Sequence, residues 1–97
     1  VRPTVVTFLD IMLRDKQKNL RIEEITVPDG LSDKRVASLD LRHHPHTLLM
    51  SIKHENDWVY NPGDEYPLNA GDVLVFMTTP GARTEIERLI SSVANGQ

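Results

Sequence analysis

The apolar positions of this chain change their spacing several times, and each change marks an element. Val5, Phe8, Leu9 and Met12 recur at i, i+3, i+4, i+7 behind Pro3, which predicts an amphipathic helix over residues 3–13 with proline in its first turn. Val6, Ile11 and Leu13 widen that surface beyond one stripe. A small domain does not easily cover so broad a surface alone, so a second surface, within the chain or on another subunit, is implied. The polar run RDKQKN, residues 14–19, ends the helix and separates it from the rest of the chain.

In LRIEEITVP, Leu20 and Ile22 fall on one face and Ile25 and Val27 on the other, with Glu23 and Glu24 shifting the alternation by one residue. That pattern predicts a strand carrying a bulge. After the PDG turn, Ser32 or Asp33 can cap a short helix, DKRVASLD, that buries Val36 and Leu39. TLLMSIKH alternates Leu48, Met50 and Ile52 against Leu49, Ser51 and Lys53, as a strand with one face in the core does. Asn56 and Asp57 predict a hairpin turn into WVYNP. The turn Asn69, Ala70, Gly71, Asp72 leads into VLVFMTT, the most apolar strand of the chain. Pro80 and Gly81 stop that strand, and Ile86, Leu89, Ile90 and Val93 mark one face of a closing helix that starts near Ala82. The expected fold class is α+β, a small, mainly antiparallel sheet flanked by helices. Two parts are expected: residues 1–19 as a connecting and interface helix, and residues 20–97 as the folded domain.

Composition narrows the functions. Ninety-seven residues with 39% hydrophobic content close one modest core, which favours a surface or intersubunit groove over a deep enclosed active site. Eleven basic against fourteen acidic residues, a net charge of -3, lack the basic surplus that phosphate backbones attract, so nucleic acid is not expected as a partner. Without cysteine there are no disulfides and no thiolate zinc sites, and a reducing compartment fits. No apolar stretch reaches the roughly 18 residues of a membrane helix, and the start at Val1 reads as a segment of a longer protein.

The most distinctive chemistry is LRHHPH, which sets His43, His44 and His46 directly before an apolar run. Metal sites draw several ligands together from different parts of a fold. Here Pro45 interrupts the histidines and no further ligand is assignable, so no metal site is assigned. Asp57, Asp64, Glu65 and Asp72 occupy turns, lack the spacing of a calcium loop, and read as a solvated acidic face, with a calcium ion shared between subunits as the alternative. Ser32, Ser38 and Ser51 have no nucleophile elbow around them, and the glycines are too dispersed for a phosphate loop. No catalytic residue and no cofactor is assigned, and the chain does not read as an enzyme. Trp58 and Tyr60, at i and i+2 on one strand face, read as core or interface packing, with stacking on a purine as the alternative.

Three segments taken together, ITVPDGLSDKRVASLDLR, TLLMSIKHENDWVYNP and YPLNAGDVLVFMTTPG, resemble the carboxy-terminal lobe of RCK domains, also called the TrkA C-terminal domain. The resemblance covers about residues 20 to 80, and its most specific element is NPGDEYPLNAGDVLVF after a Trp-containing strand, the context in which the turn of Leu68, Gly71 and Asp72 ahead of the apolar strand gains weight. VRPTVVTFLDIML is similar to the helix that precedes that lobe in these proteins. The resemblance implies a regulatory ligand-sensing domain of a prokaryotic potassium channel or potassium uptake system on the cytoplasmic face of the membrane. It implies a homodimer or higher ring, a membrane subunit as partner, and a nucleotide or a divalent cation as ligand. The same lobe also occurs on other transporters and on transcription factors, which is the alternative. In some relatives cyclic di-AMP is held by an Arg after the short helix and an Asn before the next strand. Arg42 matches the first, but no Asn stands near Thr47 and Leu48. The candidate ligand residues are therefore Arg42, His43, His44 and His46, and the candidate interface residues are Val5, Phe8, Leu9 and Met12.

Overall fold

The computed structural model describes residues 19–96. The helix expected over 3–13, with Val5, Phe8, Leu9 and Met12, lies outside the described residues. Four strands, β1 (Arg21–Thr26), β2 (Thr47–His54), β3 (Asp57–Tyr60) and β4 (Val73–Thr78), form one sheet in the order β1-β4-β2-β3. All pairs are antiparallel. A closing helix, α1 (Pro80–Ala94), lies on one face with three single turns of 3-10 helix, Asp29–Leu31, Val36–Leu39 and Leu41–His43. The architecture is the expected α+β fold with a small sheet.

Several local details depart from the sequence pattern, each for a packing reason. β1 runs against β4 in unbroken register from Arg21↔Thr78 to Thr26↔Val73, so the Glu23-Glu24 shift produces no bulge. Glu23 instead turns to the helix side, where its Oε2 accepts a hydrogen bond of 2.8 Å from Nε of Arg83 on α1. The irregularity sits in β2, where Leu49 pairs with Phe76 and Ser51 with Val75, leaving Met50 as the extra residue. That bulge places Leu49 and Ile52, three apart in sequence, in the same core and sends Leu48 to the opposite face.

The segment expected as a helix over DKRVASLD forms only the 3-10 turn Val36–Leu39, and neither Ser32 nor Asp33 caps it. Val36 and Leu39 are buried as expected. The backbone there is committed elsewhere: Val36 N donates to Tyr66 O and Ala37 N to Asp64 O, bonds that a continuing helix would have to forgo. Asp40 follows with φ 50 and ψ 45, a left-handed conformation that Asp tolerates better than most residues, and this reverses the chain towards the histidines. α1 starts two residues earlier than expected because Thr79 is its cap, its hydroxyl accepting from Ala82 N, with Pro80 at the first position.

Between sheet and helix lies one core, with Leu49, Ile52, Leu74 and Phe76 from the sheet, Ile86 and Ile90 from α1, and Leu31, Val36 and Leu39 from the turns. It anchors both the end of the central strands and the start of α1, the two elements between which the histidine loop is held.

Candidate functional site

The histidine loop is pinned at the point where two central strands meet the start of α1. Thr47 Oγ1 and Thr78 Oγ1 share a buried hydrogen bond of 2.9 Å, and Thr78 Oγ1 also lies 3.2 Å from the carbonyl oxygen of His46. Together they fix the exit of the loop against the end of β4, one residue before the helix cap. The result is a groove of about 410 Å³ between His43, His44, Pro45 and His46 on one side and Thr79, Gly81, Ala82 and Glu85 on the other.

The structure thus brings three of the four candidate ligand residues to one surface. Arg42 is not among the groove-lining residues; its Nε lies 3.3 Å from Asp40 Oδ1. Asp40 also bonds to His43 Nδ1. The His43 bond, helped by the charges of His43 and Arg42, holds the Asp40 carboxyl below the usual carboxylate range, with the loss of hydration, second in size to the His43 bond, opposing it. Asp40 therefore acts as the organiser of the loop. Glu85 was not singled out by its sequence; it becomes part of the groove because a helix starting at Pro80 turns positions 81, 82 and 85 towards the loop. In the first turn of α1 Pro80 has no N–H, Ala82 N donates to Thr79 Oγ1 and Arg83 N to Thr79 O, so the helix wall presents the small residues Gly81 and Ala82 and the Glu85 carboxylate opposite the imidazoles.

A second cluster sits at the far end of β2. His54 Nδ1 lies 2.7 Å from Oδ1 of Asp72, whose side chain is 4% exposed. Among the described residues the other carboxylate oxygen, Oδ2, is buried without a hydrogen-bond partner. The expectation of a solvated acidic face does not hold for Asp72: its backbone oxygen accepts from Val27 N, so the residue is locked under the junction of β1 and β4. Asp57, Asp64 and Glu65 are exposed. Among the described residues, no three His, Asp or Glu side chains are grouped to hold a metal ion.

The Asp72 hydrogen bond, then its charge, raises the His54 pKa above the ordinary value, with Glu55 and Asp57 adding and burial opposing. Since the folded pKa is the higher one, the stabilisation from this pair is complete below the unfolded value of about 6.5 and is lost as pH rises through the folded value. The expected outcome is a thermal midpoint that declines above about pH 6.5 more steeply for the native chain than for a His54→Gln variant. Parallel curves for the two proteins would show that the pair does not carry this dependence.

Trp58 and Tyr60 are not core residues: they are 45% and 75% exposed, and Lys53 Nζ lies 5.6 Å from the Trp58 ring centroid. Among the described residues no helix is long and apolar enough to cross a membrane.

A four-stranded antiparallel α+β domain, with a polar groove between a histidine loop and the start of its helix, is the class that fold and site define. The sequence profile of the TrkA-C domain matches residues 22–91, and the chain belongs to that family. No curated protein sequence matches it. Solved structures share the fold at low identity. The RCK C domain of the potassium transport protein KtrA in complex with cyclic di-AMP aligns at 18% identity and a TM-score of 0.64, over 88% of this chain and 98% of that one. The GsuK channel bound to NAD aligns at 19% and 0.65, over 75% of this chain but only 14% of the channel chain. BusR of S. agalactiae aligns both as an RCK_C dimer with cyclic di-AMP, at 19% and 0.62 over 72% and 95% of the two chains, and in complex with its busAB promoter DNA, at 21% and 0.63 over 90% and 46%.

The BusR complex corrects the expectation that nucleic acid is foreign to such a protein. A relative with this domain binds promoter DNA, and the domain spans less than half of that chain. The charge balance of one segment does not constrain the surface of the remainder, which is why the net charge of -3 was a poor guide.

Proposed function

We propose that this chain is a regulatory, ligand-sensing domain of a potassium channel or transporter, acting without chemistry on its ligand and coupling occupancy at a dimer interface to gating. The observation that carries the reading is the family match over residues 22–91, supported by the near-complete overlap with the KtrA ligand-binding domain. The ligand is a nucleotide or a divalent cation, and the groove beside His43, His44 and His46, with Arg42 at its shoulder, is where it meets the domain. Part of the broad apolar surface expected on residues 3–13 contacts a second subunit. The energetic role is differential: a ligand that binds one dimer geometry more tightly than another shifts the gate by that difference and no more.

Titration calorimetry of cyclic di-AMP, NAD and calcium against the chain tests the ligand class. For the ligand that binds, an Arg42→Ala, His44→Ala double variant is expected to lose about tenfold or more in affinity, the scale of losing a hydrogen bond to a charged group. Unchanged affinity would remove the loop from the site. Light scattering at high concentration is expected to give a dimeric mass, and a monomer would count against the interface.

The BusR complex with promoter DNA favours a second reading, the same module serving a transcription regulator. The genomic sequence on either side of this segment separates the two: pore helices and a nucleotide-binding segment belong with the first, a DNA-binding segment with the second.

A further inference from the structure

The two edge strands of the sheet differ in kind. β1 carries Arg21, Glu23 and Glu24, charges of the sort that keep an edge strand from pairing with another chain. β3 reads Asp57, Trp58, Val59, Tyr60, without proline and with its one charge at the first position. Its register against β2 is unbroken. Trp58 and Tyr60 are exposed, and among the described residues no strand flanks β3 on the side away from β2. An uncharged aromatic edge of this kind is a template for pairing.

The backbone of β3 restricts what can pair with it. Asn61 N donates to Met50 O, so residue 61 aims its polar groups at β2. By the alternation of an antiparallel ladder Val59 and Asp57 do the same. Trp58 and Tyr60 therefore direct N–H and C=O out of the sheet edge. On either side the chain leaves the strand, with φ 57 at Glu55 and φ 48 at Asn61. The usable edge is thus two donor-acceptor residues, two positions apart.

We propose that β3 is a seam between two copies of this chain, the strands antiparallel, with Trp58 of each copy opposite Tyr60 of the other across a two-fold axis at Val59. In this register both outward residues meet outward residues, and each pair exchanges two N–H···O bonds. Setting Trp58 against its own copy would put Tyr60 opposite Asn56, which lies in the hairpin turn. Setting Tyr60 against its own copy would put Trp58 opposite Pro62, which has no N–H to give. Side chains agree with the backbone. The aromatic rings fall next to each other on one face, the cross-strand pairing that stabilises sheets, and Asp57 falls beside Asn61 and not beside a second carboxylate. On the other face Val59, which pairs with the core residue Ile52, meets its own copy and extends the core across the seam. That self-complementarity selects a second copy over an unrelated strand.

Size sets the strength. Trp58 is 45% and Tyr60 75% exposed, so the rings offer on the order of 250 Å² per copy, against about 800 Å² per partner in a stable interface. The seam is therefore a weak contact, filled at high concentration or between copies already assembled. It is separate from the subunit contact proposed above and does not require it.

The chain contains no cysteine, so single cysteines report the register. Across the two-fold axis the Val59 Cα atoms form a non-hydrogen-bonded pair about 4.5 Å apart, within the roughly 4.4–6.8 Å that a disulfide spans. Those of Asp57, exposed on the same strand, would stand about 14 Å apart. Full-length Val59→Cys and Asp57→Cys chains are each oxidised with diamide at high protein concentration, and covalent dimer is followed over time. Val59→Cys is expected to dimerise at least about tenfold faster, although Asp57 is the more exposed position. Should Val59→Cys fail to fold, a mixture of Trp58→Cys and Tyr60→Cys chains takes its place, and each is expected to join the other in preference to itself. Rates that follow exposure, a mixture that joins without preference, or no covalent dimer from any variant would overturn the proposal.

Discussion

A Phe76→Ala variant is expected to lose about 3–5 kcal/mol of stability, the range for emptying an aromatic site in a well-packed core. Phe76 is 1% exposed at the middle of β4, with Glu23 and Leu49 as its cross-strand partners, and it shares the core with Ile86 and Ile90 of α1. A domain of this size holds on the order of 5–15 kcal/mol in total, so the variant would stand near the edge of folding. Urea denaturation checks it: the midpoint should fall sharply with little change in slope, since the surface exposed on unfolding is nearly the same. Met77→Ala, one residue along and on the opposite face, is the comparison and should cost much less. The consequence reaches the groove, because Phe76 helps to hold the helix whose first turn forms one wall.

Gly30→Ala is expected to be the next most damaging change, at about 1–3 kcal/mol for forced overpacking. A Cβ built on Gly30 would stand 2.1 Å from the carbonyl oxygen of Ala94, 2.7 Å from its carbonyl carbon and 2.9 Å from its Cα. All three atoms are backbone, so no rotamer change relieves the clash and the end of α1 must retreat from the Asp29–Leu31 turn. Hydrogen exchange reads this locally: the Asn95 amide, which donates to Ser91 O, should exchange faster in the variant than in the native chain. If Gly30→Ala kept both native stability and slow exchange at Asn95, the turn and the helix end would not be in the contact described.

Both positions show where sequence reasoning reaches. Phe76 was legible as core because VLVFMTT is nearly uninterrupted apolar sequence, whatever it pairs with. Gly30 was legible only as part of a turn, since its real constraint is a helix end 64 positions later in the chain. His54 and Asp72 were missed as a pair for the same reason. His54 closes β2 and Asp72 precedes β4, and they become neighbours only once β4 is inserted between β1 and β2 in the sheet. Among the histidines, grouping in sequence did foretell grouping in space for His43, His44 and His46. Arg42 was adjacent to them in sequence yet is paired to Asp40 outside the groove lining, because the left-handed Asp40 turns its carboxylate back onto the loop.

What the chain determined by itself was the set of local periods: four strand-like runs, a closing amphipathic helix, and turns rich in Gly, Pro, Asn and Asp. Those arise from interactions between residues a few positions apart, so the order of residues alone is enough to show them. The tertiary structure decided which face of each run is inside. The unbroken register of β1 against β4 cancelled one expected bulge and the Leu49/Ser51 shift created another, sending Leu49 and Ile52 together into the core. Such choices belong to strand pairing and helix packing between distant segments, where the buried contacts of a whole face outweigh the preference of any one residue.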